Sequence, residues 1–151
     1  MSVYYFDSNF FITCWNMYYS PDVIPSFWDF LINEAKIGKA KIPEEIFEEL
    51  SVGGDSLFDW IKNNKKFFIC KMDEKVEEHL QTVMMDNDVQ NLIDNKNRLS
   101  QYDPILFAYG KIKDSIIVSD DRRINDICKK LKINCMHIHE YIKANVKMQV
   151  I

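Results

Sequence analysis

Two short apolar runs, Val3-Tyr4-Tyr5-Phe6 and Ile116-Ile117-Val118, each lead within two residues to an aspartate. Most of the chain between them alternates brief apolar runs with amphipathic helical patterns. A strand apolar on both faces is buried on both, as in parallel sheets covered by helices. The alternation therefore predicts an α/β fold, a three-layer α/β/α sandwich around a mainly parallel sheet. With 151 residues the chain makes one domain, taken as 1–151.

The pattern predicts these elements in order. Val3–Phe6 is a strand, and Ser8 caps a helix through Phe10, Phe11, Cys14 and Trp15. After Pro21 and Pro25, a second helix carries Phe27, Phe30, Leu31 and Ala35 and stops at Gly38. Lys39–Ile42 is a brief strand, and Pro43 sits in the first turn of a helix that ends near Gly53-Gly54. A short helix opens at Ser56, Phe67–Cys70 is extended, and Asp73 begins a longer helix through Met84. The polar stretch Asp86–Ser100 is helix plus loop. A helix from Asp103 to Gly110, a strand Ser115–Ser119, a helix Arg122–Leu131, a strand Cys135–Ile138 and a helix Glu140–Val146 follow.

Hydrophobic residues make up 47% of the chain, enough for a core without disulfides. No apolar run approaches the roughly 20 residues a membrane span needs, and no basic leader precedes Asp7. A cytoplasmic protein is expected. Cys14, Cys70, Cys128 and Cys135 form no C-x-x-C pair and read as reduced, mostly buried thiols. His137 and His139 lack a third ligand, so a structural role is expected. The net charge of −4 argues against bulk electrostatic capture of nucleic acid. Four acids account for all of it, however: without them 19 acidic residues face 19 basic ones.

Those four are Asp7, Glu49, Asp103 and Asp120. In a parallel sheet, ligand sites lie beyond the carboxyl ends of the strands. Asp7 immediately follows the first strand, and Asp120 lies two residues past Val118. Asp103 opens the helix that descends before the Asp120 strand climbs back, so it starts on the same edge. Singly, each has an ordinary reading as a cap or turn residue. Together they repel, and folding tolerates such a cluster best with a cation among them. Oxygen-only ligands suit Mg²⁺ or Mn²⁺. Glu49 shares its helix with Glu44, Glu45 and Glu48, and a solvated acidic face is the ordinary explanation. Its place beside Leu50 borders the apolar stripe, with Glu45 its nearest rival.

Four segments resemble the motifs of PIN-domain nucleases, in their order. These are Asp7-Ser8-Asn9 after a strand, Ile42-Pro43-Glu44-Glu45-Ile46-Phe47-Glu48-Glu49-Leu50, Tyr102-Asp103-Pro104-Ile105-Leu106-Phe107-Ala108, and Ile116-Ile117-Val118-Ser119-Asp120. The second match places its acid at Glu49. The chain resembles most closely the DUF4411 subgroup, through Pro25-Ser26-Phe27-Trp28-Asp29-Phe30-Leu31. The resemblance implies a Mg²⁺- or Mn²⁺-dependent endoribonuclease, frequently the VapC-like toxin of a type II toxin–antitoxin pair. An RNA substrate, a cognate antitoxin and a homodimer come with it.

On that resemblance Asp7 and Asp103 are direct metal ligands, with Glu49 and Asp120 shared or water-mediated. The adjacent Asp121 is open to share or replace the role of Asp120. Ser8, Asn9, Ser119, Arg122 and Arg123 are candidates for the substrate side, the arginines for the RNA backbone. Competing readings are a catalytically inactive RNA- or protein-binding module and a DNA-directed nuclease. An Asp-x-Asp phosphatase ranks low because position 9 is Asn.

Overall fold

A computed structural model of the chain describes residues 2–51, 56–94 and 103–146. Five strands form one sheet: β1 (Val3–Phe6), β2 (Ala40–Pro43), β3 (Ile69–Cys70), β4 (Ser115–Val118) and β5 (Cys135–Met136). Their order is β3-β2-β1-β4-β5, and every neighbouring pair is parallel. The helices are α1 (Ser8–Thr13), α2 (Pro25–Lys36), α3 (Glu44–Ser51), α4 (Ser56–Asn63), α5 (Lys65–Phe68), α6 (Glu74–Met84), α7 (Asn87–Asp94), α8 (Asp103–Gly110), α9 (Arg122–Leu131) and α10 (Ile138–Asn145).

Strand alternation divides the core into two layers. Tyr4 and Phe6 of β1, with Val118 of β4, face Phe10, Phe11, Phe27, Trp28, Leu31, Ile46 and Tyr141. Tyr5 and Ile117 face the opposite way, into Val76, Leu106, Phe107, Tyr109, Ile124 and Cys128. The expected α/β/α sandwich follows directly from this two-residue period. The first layer is unusually aromatic, with Phe6 against Phe10 at 4.4 Å and against Tyr141 at 5.0 Å between ring centroids.

Several element boundaries differ from the sequence reading. The first helix runs on into a π-helical turn, Cys14–Tyr18. Pro43 ends β2 and does not open α3, and a strand end is where its missing N–H disrupts least. Phe67 and Phe68 are helical, because Phe68 packs inward near Trp60 and Phe11, and only Ile69–Cys70 pairs with β2. The last strand stops at Met136, and Ile138 already belongs to α10. Gly38 has φ +79 and ends α2 as expected, a conformation few other residues adopt. The helix end near Gly53-Gly54 and the latter part of Asp86–Ser100 lie outside the described residues.

The direction in which the chain winds along the sheet reverses between β1 and β4, although the two strands are parallel. From β1 the chain winds outward through β2 to β3, then returns to place β4 on the other side of β1. That switch point is where a parallel sheet opens a crevice at its carboxyl edge. Phe6 pairs with Val118 there, so Asp7 and Ser119 leave the sheet side by side.

Candidate active site

Asp7 is 3% exposed and tied down from two directions. Ser119 donates its hydroxyl to Asp7 Oδ2 at 2.9 Å, and Ser8 Oγ lies 3.4 Å from Oδ1. Burial pushes the Asp7 carboxyl up, the Ser119 hydrogen bond pulls it back, and Asp121 pushes it up again. Ser8 Oγ also reaches Glu49 Oε2 at 3.2 Å, which brings α3 to the first strand's end. A serine has one proton to give, so this bridge between two carboxyls is best satisfied when one of them is protonated. Glu49 is pushed up to about 7, first by burial and then by Asp7.

Asp103 opens α8 and is 3% exposed. Its Oδ2 is buried without a hydrogen-bond partner. An ionised oxygen so placed is costly unless a proton or a cation neutralises it. Its carboxyl is pushed up to about 8, by burial first and then by Asp7, Glu49 and Asp121, while Arg123 pulls it down. Asp7, Glu49 and Asp103 thus feel one another's charge, although they come from three separate elements.

The tandem Asp120-Asp121 divides its work. Asp120 turns toward α10: its Oδ1 accepts the Ile138 N–H at 2.9 Å and lies 3.4 Å from His137 Nδ1. Asp121 is the acid whose charge reaches Asp7 and Asp103. It also caps α9, accepting the Arg123 N–H at 2.8 Å, with Arg123 Nε at 3.8 Å. Asp120 is thus engaged with α10 through Oδ1, while the charge felt by Asp7 and Asp103 from this loop is that of Asp121.

Of the candidates for the substrate side, Ser119 is fully buried. Its hydroxyl sits between Asp7 and the backbone N–H of Asp121, which donates to it at 3.1 Å, so it ties the first strand's acid to the loop that carries Asp121. Asn125 braces the same loop, donating to the carbonyls of Ser119 at 3.0 Å and Asp121 at 2.9 Å. Asn9 and Arg122 are exposed at this edge. Arg123 is half-buried, and its Nη1 has no partner. Sequence reasoning missed Asn125, whose role depends on a loop conformation that no local pattern marks.

The acids offer only oxygen donors, and Asp103 presents an unpaired one, so the donor chemistry fits a hard cation such as Mg²⁺ or Mn²⁺. Among the described residues, no group of three or more His, Cys, Asp or Glu side chains is arranged to hold a metal ion. The hydroxyls of Ser8 and Ser119 instead hold Asp7 and Glu49.

A family model described as a domain of unknown function, DUF4411, matches residues 4–149. The chain belongs to the DUF4411 family. This DUF4411 protein also resembles the crystal structure of VapBC2 from Rickettsia felis bound to a DNA fragment from their promoter. The TM-score is 0.51 at 12% identity, covering 89% of this chain and 98% of that one. A likeness at that identity is one of fold, and it agrees with the PIN-like α/β/α arrangement. Comparison with curated proteins finds no match by sequence. No helix among the described residues is long and apolar enough to cross a membrane.

Proposed function

We propose that this DUF4411 protein is a metal-dependent endoribonuclease whose site is built on Asp7, Glu49 and Asp103. Asp121, whose charge reaches Asp7 and Asp103, serves as the fourth acid in the place that the motif gives to Asp120. The observation that carries the reading is the buried, unpartnered Oδ2 of Asp103 within the charge of three other acids. A scaffold gains nothing from such a cluster, whereas a cation site requires one.

Mg²⁺ or Mn²⁺ would be held by Asp7, Asp103 and Glu49, with Asp121 nearby. When bound, such an ion supplies Lewis-acid stabilisation of a phosphodiester and a more acidic water. The chain's own residues supply the rest. Ser119 fixes the direction of Asp7, and Ser8 sets Glu49 against it. Arg122, exposed at this edge, meets a phosphate oxygen of the RNA backbone, while Arg123, its Nη1 buried, offsets the charge of Asp103 and Asp121.

The VapBC2 crystal structure, similar in fold, holds a promoter DNA fragment. With the motif resemblance, the fold likeness supports a toxin paired with a cognate antitoxin; a cytoplasmic location and a homodimer are part of the same proposal. Ile12, Met17, Tyr18 and Val23 are exposed apolar residues available to such partners, whereas Phe27 and Trp28 are buried in the core. Light scattering at tens of micromolar tests the dimer.

The defining experiment is cleavage of end-labelled single-stranded RNA and of matched DNA. RNA cutting with Mg²⁺ or Mn²⁺, abolished by EDTA and restored by either ion, is expected. DNA cutting alone would favour the DNA-directed nuclease, and binding without cutting would favour the inactive module.

A further inference from the structure

Beside the acid cluster, the same sheet edge carries a second concavity. It has a volume of about 280 Å³ and is lined by Tyr18, Tyr19, Asp120, Ile138, His139 and Ile142. That is just below the ~300 Å³ at which drug-sized pockets begin, a size for one ring system. Asp120 lies between Ser119, which holds Asp7, and Asp121, which charges the site. Through Asp120 the cavity borders the Ser119–Asp121 loop that carries part of the proposed site.

Its chemistry is specific. Ile138 and Ile142 are buried and make an apolar floor. The exposed rings are Tyr18, 58% exposed at the end of the π-helical turn, and His139 on the first turn of α10. His139 lies nearly parallel to His137, 5.8 Å away at 12°. Tyr19 is a fixed wall: its ring stacks on Phe27 at 4.9 Å, and its carbonyl accepts the Trp28 indole N–H at 2.6 Å. One carboxylate, Asp120, lines the cavity, oriented through Oδ1 by the Ile138 N–H.

We infer that this cavity is a nucleobase subsite, in which Tyr18 and His139 stack on a base flanking the cleaved phosphate and Asp120 accepts from its exocyclic amino group. The inference rests on the ribonuclease reading for the identity of the strand. Unstacked bases are read by aromatic rings and by hydrogen bonds at their edges. A carboxylate only accepts. At the position-4 edge it accepts from the amino group of cytosine, whereas uracil presents the acceptor O4 there and has only its N3–H to offer, so cytosine is preferred. Cytosine against uracil is the cleanest comparison, because the two rings stack alike and differ at that edge.

Equilibrium binding of fluorescent oligo(C) and oligo(U) in EDTA, read by anisotropy, tests this without cleavage. Wild type binds oligo(C) at least about fivefold more tightly than oligo(U), as one charge-assisted hydrogen bond warrants. Tyr18→Ala weakens both by about fivefold or more, the usual effect of losing a stacked ring. Asp120→Asn brings the two affinities together, because an amide both donates and accepts. Equal binding by wild type, an unaffected Tyr18→Ala, or no binding of either oligomer overturns the subsite. Asp103→Asn should keep the preference for oligo(C) while losing cleavage, which separates the two claims. A base preference with no cleavage by wild type sinks the nuclease and keeps the subsite. Cleavage with no base preference keeps the nuclease and sinks the subsite.

Discussion

The hydroxyl of Ser119 reaches Asp7 Oδ2 at 2.9 Å, joining residues 112 positions apart in the chain. The bond exists because Phe6 pairs with Val118 in neighbouring parallel strands, so the next residue on each strand emerges at the same place. Ser119→Ala should therefore leave the strand pairing intact and free the Asp7 carboxylate to rotate. Groups that orient a ligand typically contribute about 10–100-fold in metal affinity or activity. RNA cleavage should fall by about that factor, with an unchanged far-ultraviolet spectrum and a weaker response to Mn²⁺. Ser119→Thr, which keeps the hydroxyl, should recover part of the loss.

The tandem aspartates give a second test. The charge of Asp121 reaches Asp7 and Asp103, whereas Asp120 Oδ1 accepts the Ile138 N–H. Cleavage of a fixed RNA should drop about tenfold further in Asp121→Asn than in Asp120→Asn, the lower end of the effect of perturbing a metal site. Asparagine retains the cap at the start of α9, so the difference will not come from unfolding. The reverse order would return the fourth position to Asp120.

The acidic helix gives a third. Glu49 meets Ser8 and Asp7, Glu48 is exposed, and Glu45 lies near Cys70 and Tyr109 on another side. Glu49→Gln should be impaired by at least about tenfold in cleavage. Glu45→Gln and Glu48→Gln should stay close to wild type. Equal loss in all three would mean that the helix acts through its total charge.

How much of this could be read from the sequence depends on whether the deciding contact is local. The meeting of Asp7 and Asp103 follows from strand direction alone, since a helix before a parallel strand must start at that strand's carboxyl edge. Glu49 over Glu45 follows from its position against the apolar stripe of α3. Asp120 against Asp121 does not, because the choice is made by the Ile138 N–H, supplied by a helix 18 residues further on. Pro43 in β2 and the helical Phe67-Phe68 were likewise decided by packing against distant elements, which overrides local preference. The cavity beside Asp120 was hidden too: Tyr18, at the end of the π-helical turn, and His139 are far apart in sequence.

Stability should respond to pH in a direction fixed by the carboxyls. Glu49 and Asp103 are held at about 7 and about 8, above their ordinary values. A carboxyl raised in the folded state binds more protons folded than unfolded, so stability falls as pH rises between its unfolded and folded values. Without metal, the melting temperature should decline from about pH 5 to about pH 8. Asp103→Asn should flatten that decline and melt higher at pH 8. Millimolar Mg²⁺ or Mn²⁺ should raise the wild-type melting temperature at pH 8, by binding only the native state, and should barely move Asp7→Asn/Asp103→Asn. A wild-type melting temperature that is flat or rising over this range would contradict the buried, mutually charged cluster.

The most direct test of the account is cleavage by Asp103→Asn beside wild type, on one single-stranded RNA with saturating Mn²⁺. The substitution keeps the size and position of the side chain at the start of α8 and removes the charge at the unpartnered oxygen. The account predicts a folded protein whose cleavage rate is lower by about two orders of magnitude or more, since losing a direct ligand should cost at least what losing its support does. An Asp103→Asn protein that cuts as fast as wild type would place any activity elsewhere and contradict the assignment of this acidic cluster as the catalytic site.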